Sequence, residues 1–581
     1  MRSLPIALLL LPAAIWAADP PATPAPAATP AQAATPAPNP STATTFARAA
    51  TRPQAATPAP MAFTAATPAQ AATPALKPAT AARPAQAATP AQAATPAPKP
   101  ATAATPAQVA APAQAATSAP LKLGSVTVSG SFRTRLEMWD FFQGNADNSY
   151  AFSGNVFKLS FAQSLKNIDW QLELEAPFLL GLPSTAIAPA PQLQLGLGGN
   201  YYAANKNSTN AGMVFPKQGY IRFKDLFGDK NQSLRLGRFE WMDGAEATPK
   251  DATLAALKRD RINQRLIGPF GWSHVGRSFD GFHYSANGPK SRINYTLVGA
   301  LPTRGAFQVD GWGNLKVAFL YGSMTGQTGQ GKSVGEWRAL AIYYQDWRHV
   351  LKTDNRPAAV RQLDMNNIRI ATYGGHYIHK WDTTAGDVNV MLWGVLQNGK
   401  WGRQDHAAGA YDLEAGWQPK ILPRLRPWLS GGFSHTSGDS NAADNKHGSF
   451  FQILPTPRPY ARSPFYNMVN NEDRFAMLTL RPHKAIAIRS EFHALRLTNQ
   501  KDLWYLGGGA FQPWTFGYIG RNTTGARSLA NQYDTSVDYN INAHLAFTGY
   551  IGYAQGKAAM HTIYPKGTDG KFGYLELTYK F

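Results

Sequence analysis

The chain has 581 residues, a formal net charge of +21 and no cysteine. The absence of cysteine excludes a disulfide scaffold, a cysteine zinc site and a thiol nucleophile. No apolar stretch after the first 20 residues approaches the roughly 20 residues that a membrane helix needs, which excludes a helical membrane protein.

Residues 1–18 have the pattern of a secretory signal peptide. Arg2 gives a positive start, residues 4–15 form an apolar core, and the small residues Ala17 and Ala18 suit cleavage after either of them. We therefore expect an exported protein, with a buried N-terminal helix as the alternative.

Residues 19–120 are almost entirely Ala, Pro, Thr and Gln, arranged in near-copies of Ala-Ala-Thr-Pro-Ala-Gln. Recurrent proline prevents helix propagation, and the segment has few large apolar side chains to bury. The composition predicts a disordered periplasmic linker. It is either a simple spacer or a tether to the cell wall or to periplasmic synthesis or export proteins.

From Leu121 to Phe581 the hydrophobicity alternates with a period of two. In residues 126–138, one face carries Val126, Phe132 and Leu136, and the other carries Arg133 and Arg135. Many such stretches have 10 residues or more, which is the length that a tilted strand needs to cross a bilayer. The pattern predicts an all-β, transmembrane antiparallel β-barrel over residues 121–581, and the alternative is a soluble all-β binding protein.

About eighteen strands are predicted, and their connections alternate between short and long. Short turns at 228–231, 287–290, 419–423, 482–483 and 542 are expected to face the periplasm, and long loops at 179–215, 243–276, 438–470 and 499–527 the exterior. The connection 324–334 is longer than its periplasmic position predicts. The final strand, residues 574–581, ends on Phe581, as bacterial outer-membrane barrels do, so we expect the protein in that membrane.

Several motifs resemble catalytic or metal-binding patterns without supporting one. Residues 326–333 match a phosphate-binding loop, but an aromatic strand rather than a helix follows. His376 and His379 fall on opposite faces of a strand and cannot chelate one metal ion together. Glu173 and Glu175 are expected to be counter-charges rather than a glycosidase pair. We predict that the protein is not an enzyme and uses no cofactor or metal.

The barrel segment carries a net charge of +16. Because charged side chains facing lipid are costly, most are expected to face the lumen, where they would favour anions. Alternatively, part of the positive charge binds outer-membrane lipid and lipopolysaccharide. No nucleic-acid partner is expected. Strand alternation assigns to the lumen Arg133, Arg135, Arg222, Arg369 and Arg489, with acids that include Glu137, Asp169, Glu173, Asp412, Glu414, Asp534 and Asp538.

Two segments are similar to the paired signature of the alginate export family of outer-membrane barrels. They are residues 234–238, Leu-Arg-Leu-Gly-Arg, and residues 277–282, Arg-Ser-Phe-Asp-Gly-Phe. Residues 502–509 and Tyr533-Asp534 are also similar to this family, and the resemblance covers residues 121–581 loosely. It implies an eighteen-stranded barrel with a basic lumen that conducts an anionic polysaccharide outward.

The resemblance further implies that Arg235, Arg238, Arg277 and Asp280 line or brace the conduit. Strict alternation places Arg238 on the face of Leu236, so an inward Arg238 requires a bulge at Gly237.

The leading hypothesis is a channel with an electropositive lumen that exports an anionic polysaccharide such as alginate. The first alternative is a general or anion-preferring diffusion porin for small solutes. The second is an enzyme embedded in a barrel, such as a lipase or protease, which the missing nucleophile motif disfavours.

Overall fold

The computed structural model describes residues 121–288, 291–456, 463 and 467–581. The predicted signal peptide and linker lie outside these residues. Eighteen antiparallel strands form one closed barrel, because the first strand pairs with both the second and the last. The strands are β1 (Val126–Asp140), β2 (Ser149–Ser164), β3 (Ile168–Leu180), β4 (Phe215–Lys224), β5 (Gln232–Phe239), β6 (Phe279–Asn287), β7 (Ile293–Pro302), β8 (Val317–Gln330), β9 (Ser333–Asp346), β10 (Ile368–Thr383), β11 (Gly386–Trp401), β12 (Gln404–Pro419), β13 (Trp428–Thr436), β14 (Asn471–His483), β15 (Ile486–Leu497), β16 (Ser528–Asn540), β17 (Leu545–Gly556) and β18 (Gly570–Lys580).

The alternation predicted from the sequence is present in the strands. In β1, Leu136 and Met138 are exposed on the outer face, while Arg135, Glu137 and Trp139 are buried on the inner face. The polar faces of the strands therefore line the inside of the barrel, as expected from the cost of placing charge against lipid. The predicted fold class and strand number are confirmed.

The last strand closes the barrel at the predicted C-terminal signal. Phe581 continues the pairing beyond β18, since its backbone exchanges hydrogen bonds of 3.0 and 3.1 Å with Gly130. Leu575, Leu577 and Tyr579 are exposed on the outer face of β18. The aromatic terminus is thus part of the sheet that closes the ring.

Short turns gather at one end of the barrel and mostly long loops at the other, which we call the short-turn end and the long-loop end. The long-loop end contains the short helices Leu197–Ala204, Ala252–Leu257, Lys258–Ile262, Ala358–Gln362 and Ala558–Ile563 and the short strands Ala211–Gly212, Lys446–His447, Trp504–Leu506 and Ile519–Arg521. The strand Leu121–Leu123 and the helical turn Leu226–Gly228 lie at the short-turn end. No described helix is long and apolar enough to cross a membrane.

One predicted connection is shorter than the sequence indicated. β8 and β9 pair without interruption up to Gln330 and Ser333, so only Gly331 and Lys332 form the turn. Gly331 has a φ of 64°, a conformation that glycine adopts without a steric penalty. The glycine-rich segment that matches a phosphate-binding loop is therefore strand and tight turn.

Candidate functional site: the lumen and its loop

The lumen wall near the short-turn end carries Arg222 and Arg235, which are paired neighbours on β4 and β5. Arg222 forms an ion pair with Asp169, and Lys224 reaches the same carboxylate at 2.7 Å. Arg235 is buried and donates to the ring of His283 at 3.1 Å. Its guanidinium also lies 4.3 Å from the ring centroid of Phe239.

Arg133 and Arg135 face the lumen further along the wall, on β1. Arg135 pairs with Glu576 at 2.6 Å and with Glu137 at 3.4 Å. Arg133 lies 3.8 Å from Glu576 and donates to the carbonyl oxygens of Gly271 and Ser273. Both predicted lumen arginines therefore bind the wall and a loop that enters the barrel.

That loop, residues 240–278, crosses the lumen, and we call it the lumen loop. Its helix Ala252–Leu257 begins at Asp251, whose carboxylate accepts from the amides of Thr253 and Leu254 at 2.9 and 3.0 Å. This cap satisfies amides that a helix leaves free at its start. The helix leads directly into the short helix Lys258–Ile262, which presents basic side chains to the opposite wall.

Three cations of the lumen loop pair with carboxylates of the barrel wall. Lys258 lies 2.5 Å from Glu336 on β9, Arg261 lies 2.7 Å from Glu414 on β12, and Arg265 lies 2.6 Å from Asp412 on the same strand. All six side chains are buried. Breaking one such buried pair typically costs about 3–5 kcal/mol, because the remaining charge is left unpaired. The wall acids therefore hold the loop in place.

Carboxylates of the lumen loop also pair with a cation of the barrel wall. Arg338 on β9 contacts Asp243 at 3.4 Å and Glu246 at 3.2 Å, and both acids belong to the lumen loop. His274 of the loop contacts Glu137 on β1 at 2.9 Å. Its ring packs onto Gly154, where a Cβ atom would come within 2.2 Å of the imidazole. The loop is thus attached to distant parts of the ring.

Burial perturbs two titratable groups of the lumen loop. It raises the pKa of the Asp243 carboxyl to about 6, although Arg338 and two backbone amides act in the opposite direction. It lowers the pKa of His274 to about 4, against the hydrogen bond with Glu137. His274 is therefore neutral at neutral pH.

Arg277, at the end of the lumen loop, is 2% exposed and reaches a second long loop. It donates to the carbonyl oxygen of Pro455 at 2.8 Å and lies 4.9 Å from the ring centroid of Phe270. The same two loops pair through the backbones of Gly268 and Leu454 at 2.8 Å. Long loops therefore meet across the barrel and narrow the lumen.

A cavity at the long-loop end combines aromatic side chains with one arginine. Arg521 at its edge donates to the carbonyl oxygens of Pro191 and Gln192. The side chains that line the cavity include Trp139, Phe141, Phe270, Trp272, Phe307 and Arg521. Such a surface offers apolar ring faces beside a charged donor.

The wall formed by β12 to β16 is rich in acids. Arg489 faces this part of the lumen and pairs with Glu491, while His493 contacts Asp473 at 2.7 Å and Glu491 at 3.2 Å. The candidate ligand atoms of Glu491, His493 and Asp534 lie within 4.8 Å of one another. This grouping was missed in the sequence because Asp534 lies on β16, about 40 residues after Glu491 and His493 on β15.

Arg238 and Asp280 lie on the outer face, which corrects the prediction that they line the lumen. β5 pairs with β4 and β6 in continuous register through Gly237, so these strands contain no bulge there. Arg238 consequently shares the face of Leu236 and pairs with Asp280 at 2.6 Å. Its guanidinium lies 5.3 Å from the ring centroid of Trp312, which is exposed.

Arg369 also faces outward, contrary to the prediction. Its neighbours Ile368 and Ile370 are buried on the inner face, so alternation turns Arg369 to the side of the exposed Tyr373. Of the predicted residues, the structure places Arg133, Arg135, Arg222, Arg235 and Arg489 on the lumen wall and Arg277 in the loops that narrow it.

Sequence reasoning missed the basic residues of the lumen loop. Lys258, Arg261 and Arg265 are spaced by three and four residues, a helical spacing that places side chains on one side. This signal was present in a segment predicted only as a long loop.

Comparison with known proteins agrees with the barrel. The sequence matches the alginate export family over residues 204–558, which is more than half of the chain. No curated protein matches it. Among solved structures, Pseudomonas aeruginosa OccK9 (OpdG) is similar with a TM-score of 0.50 and 11% identity, covering 78% of this chain and 98% of that one. The outer membrane protein opdK of the same organism has a TM-score of 0.46 and 9% identity over 78% and 98% of the two chains.

The matched residues include β5 and β6, which carry the signature segments, and all residues of the lumen loop. The matched family is an export family, and a closed antiparallel barrel with an apolar outer face is the fold of channels that span the bacterial outer membrane. The chain belongs to the alginate export family.

Proposed function

We propose that this outer-membrane channel exports an anionic polysaccharide such as alginate through a lumen whose basic side chains bind the polymer. The observation that carries the proposal is a pair of buried cations, Arg235 and Arg277. Among the described residues, neither arginine forms an ion pair with a carboxylate: Arg235 contacts His283, and Arg277 donates to the carbonyl oxygen of Pro455. Buried charges are normally paired, so a uronate carboxylate is a suitable partner for each.

The position of the two arginines supports passage along the barrel. Arg235 lies on the wall towards the short-turn end, and Arg277 lies where the long loops meet. Along the barrel axis, Arg133 and Arg135 on β1 lie between Arg235 and Arg277. A polymer with a carboxylate on each sugar can contact several of them in succession, which a small solute cannot do.

The aromatic cavity at the long-loop end has about 50 Å³ of free space, which is too little for a sugar ring. Its side chains Trp139, Phe141 and Trp272 can therefore contact a polymer only after the lumen loop has moved. Uronate carboxylates can compete with the wall carboxylates that now pair with Lys258, Arg261 and Arg265. We propose that the lumen loop opens when the polymer replaces the wall carboxylates as the partner of these three cations.

A general or anion-preferring diffusion porin remains the alternative, and one observation favours it. The lumen contains many carboxylates beside its cations, as where Lys158 contacts Glu173, Glu175 and Glu240 at 3.0–3.5 Å. Such a mixture weakens the preference for anions.

Block of single-channel current by oligouronates in planar bilayers tests the proposal. We expect Arg235→Gln, and more so its combination with Arg277→Gln, to weaken block by about tenfold, the effect of about one charge-assisted hydrogen bond. Arg238→Gln removes the same charge three residues away on the outer face and is the matched control.

Neutral oligosaccharides of the same length should block wild type and variants equally weakly. Equal oligouronate block in Arg235→Gln and Arg238→Gln, with both proteins folded, would contradict the proposal. Block by small monovalent anions but not by oligouronates would favour the porin.

A further inference from the structure

Five polar side chains form a patch on the outer face of the barrel near the long-loop end. His435 lies on β13, Glu472 and Arg474 on β14, Arg496 on β15, and Arg527 just before β16. We call these residues the rim patch. Glu472 is the direct cross-strand neighbour of both His435 and Arg496, so the members lie side by side.

Strand alternation places the side chains of the rim patch on the outer face of the barrel. Asp473 and Phe475 face the lumen, where they contact His493 and the guanidinium of Arg261. Their neighbours Glu472 and Arg474 therefore point outward. The side chains of Arg496 and Arg527 are 40% and 41% exposed, and Arg474 is exposed as well.

The rim patch has three arginines and one carboxylate. Glu472 is the shared acceptor, since it pairs with Arg496, with Arg527 at 3.2 Å and with His435 at 3.4 Å. Arg527 also donates to the carbonyl oxygen of Leu497 at 2.7 Å. Glu472 holds two arginines together but neutralises only one charge, so a net charge of two remains without counting His435.

Aromatic side chains lie beside the rim patch on the same face. Tyr411 stacks on His435 with a centroid distance of 5.0 Å, and Phe433 is the cross-strand neighbour of Arg474. Tyr533 and Phe492 pack at 5.1 Å on the adjacent strands β16 and β15. Aromatic belts of this kind mark the boundary between hydrocarbon and headgroups.

We propose that the rim patch binds a phosphate group of lipid A, the anionic glycolipid anchor of lipopolysaccharide in the outer leaflet. Long loops of these barrels face the exterior, which places the patch at the headgroup level of that leaflet. Arginine forks fit phosphate oxygens in a bidentate geometry, and an anion that bridges Arg474 and Arg496 balances the remaining charge. This binding does not depend on the transport function.

Binding of bisphosphorylated lipid A to the full-length protein in detergent, followed by native mass spectrometry, tests the proposal. The variant Arg474→Gln, Arg496→Gln, Arg527→Gln should bind roughly 100-fold more weakly, because each arginine near an anionic lipid surface contributes about fivefold. Arg474→Gln alone should weaken binding by about fivefold and leaves the contacts of Glu472 intact.

Two further variants make the test specific. Glu472→Gln removes the acid of the rim patch and should tighten binding. Lys420→Gln, Arg424→Gln, Arg426→Gln removes three exposed cations at the short-turn end and should leave binding unchanged. All variants must retain the heat-modifiable mobility of a folded barrel, and Arg474→Gln alone decides the question if the triple variant does not fold.

Lipid A from which both phosphates have been removed should bind wild type and the rim-patch variants equally weakly. The proposal is overturned if Arg474→Gln binds like wild type, or if the short-turn control loses as much affinity as the rim-patch variant. It is also overturned if phosphatidylglycerol or inorganic phosphate binds as tightly as lipid A.

Discussion

At the scale of single residues, the lumen of this barrel is organised by charges that find partners across large sequence distances. Arg265 is fully buried and pairs with Asp412, and its guanidinium lies 5.0 Å from the ring centroid of Trp393. Because neither charge can be left alone in such surroundings, the pair fixes where the lumen loop meets the wall. These ion pairs determine where the lumen loop lies, whether or not each pair adds to the free energy of unfolding.

Asp243 makes the stability of the lumen loop depend on pH. Its folded-state pKa of about 6 is above the ordinary value, so the folded state holds the proton more tightly than the unfolded state. The contribution of Asp243 to loop stability is therefore greatest below pH 4 and is lost as the pH rises through 6.

The measurement is hydrogen exchange of the amides of Leu266 and Ile267, which donate to Asp243 at 3.1 and 2.9 Å. After correction for intrinsic rates, protection in wild type should fall between pH 4.5 and pH 7.5 relative to protection in Asp243→Asn. Asparagine keeps the acceptor oxygen and cannot titrate. The same pH profile in both proteins would show that another group is responsible.

At the scale of elements, strands and loops differ in how far the sequence predicts them. Strand existence and facing depend on neighbouring residues along the chain, which is why the inward positions of Arg133, Arg135 and Arg489 follow from alternation. Arg369 faces outward because β10 alternates with Ile368 and Ile370 on the inner face. Arg238 faces outward because β5 keeps strict alternation through Gly237, so the bulge that the family resemblance requires is not formed.

The path of the lumen loop could not be predicted in the same way. Arg261 and Glu414 are 153 residues apart, and nothing in the local pattern of either segment specifies the other. The sequence shows a basic run in a long loop. Only the closed ring brings the acidic wall of β12 opposite that run, so the candidate site depends on the tertiary fold.

Shortening the lumen loop tests its role as the element that narrows the channel. Replacing residues 247–275 with a short Gly-Ser linker should raise single-channel conductance severalfold, because the loop fills space that the eighteen strands enclose. The barrel should still fold, since its strands are joined by their own hydrogen bonds. Replacing the exposed helix Ala358–Gln362 in the same way is the control and should leave conductance unchanged.

Conductance equal to that of wild type after removal of residues 247–275 would show that the lumen loop does not limit passage. The comparison requires that both shortened proteins keep the heat-modifiable mobility of a folded barrel.

At the scale of the whole molecule, the inner face of the barrel sheet lines the lumen and the outer face contacts the membrane. The inner face and the lumen loop hold paired charges with two buried arginines, Arg235 and Arg277, that lack a carboxylate among the described residues. The outer face is apolar apart from a charged rim that includes Arg238 with Asp280 and the rim patch. In the functions that we propose, export of a polyanion uses the inner face, and anchoring in an anionic leaflet uses the outer one.

The most direct test of export is the passage of polymers into liposomes that contain the purified full-length protein. Labelled oligouronate and neutral dextran of matched length are compared in the same vesicles. We expect oligouronate to cross faster than dextran, and we expect the variant Arg235→Gln, Arg277→Gln to reduce this difference while Arg238→Gln does not. Equal rates for oligouronate and dextran in wild-type vesicles would show that the channel does not export polyanions selectively.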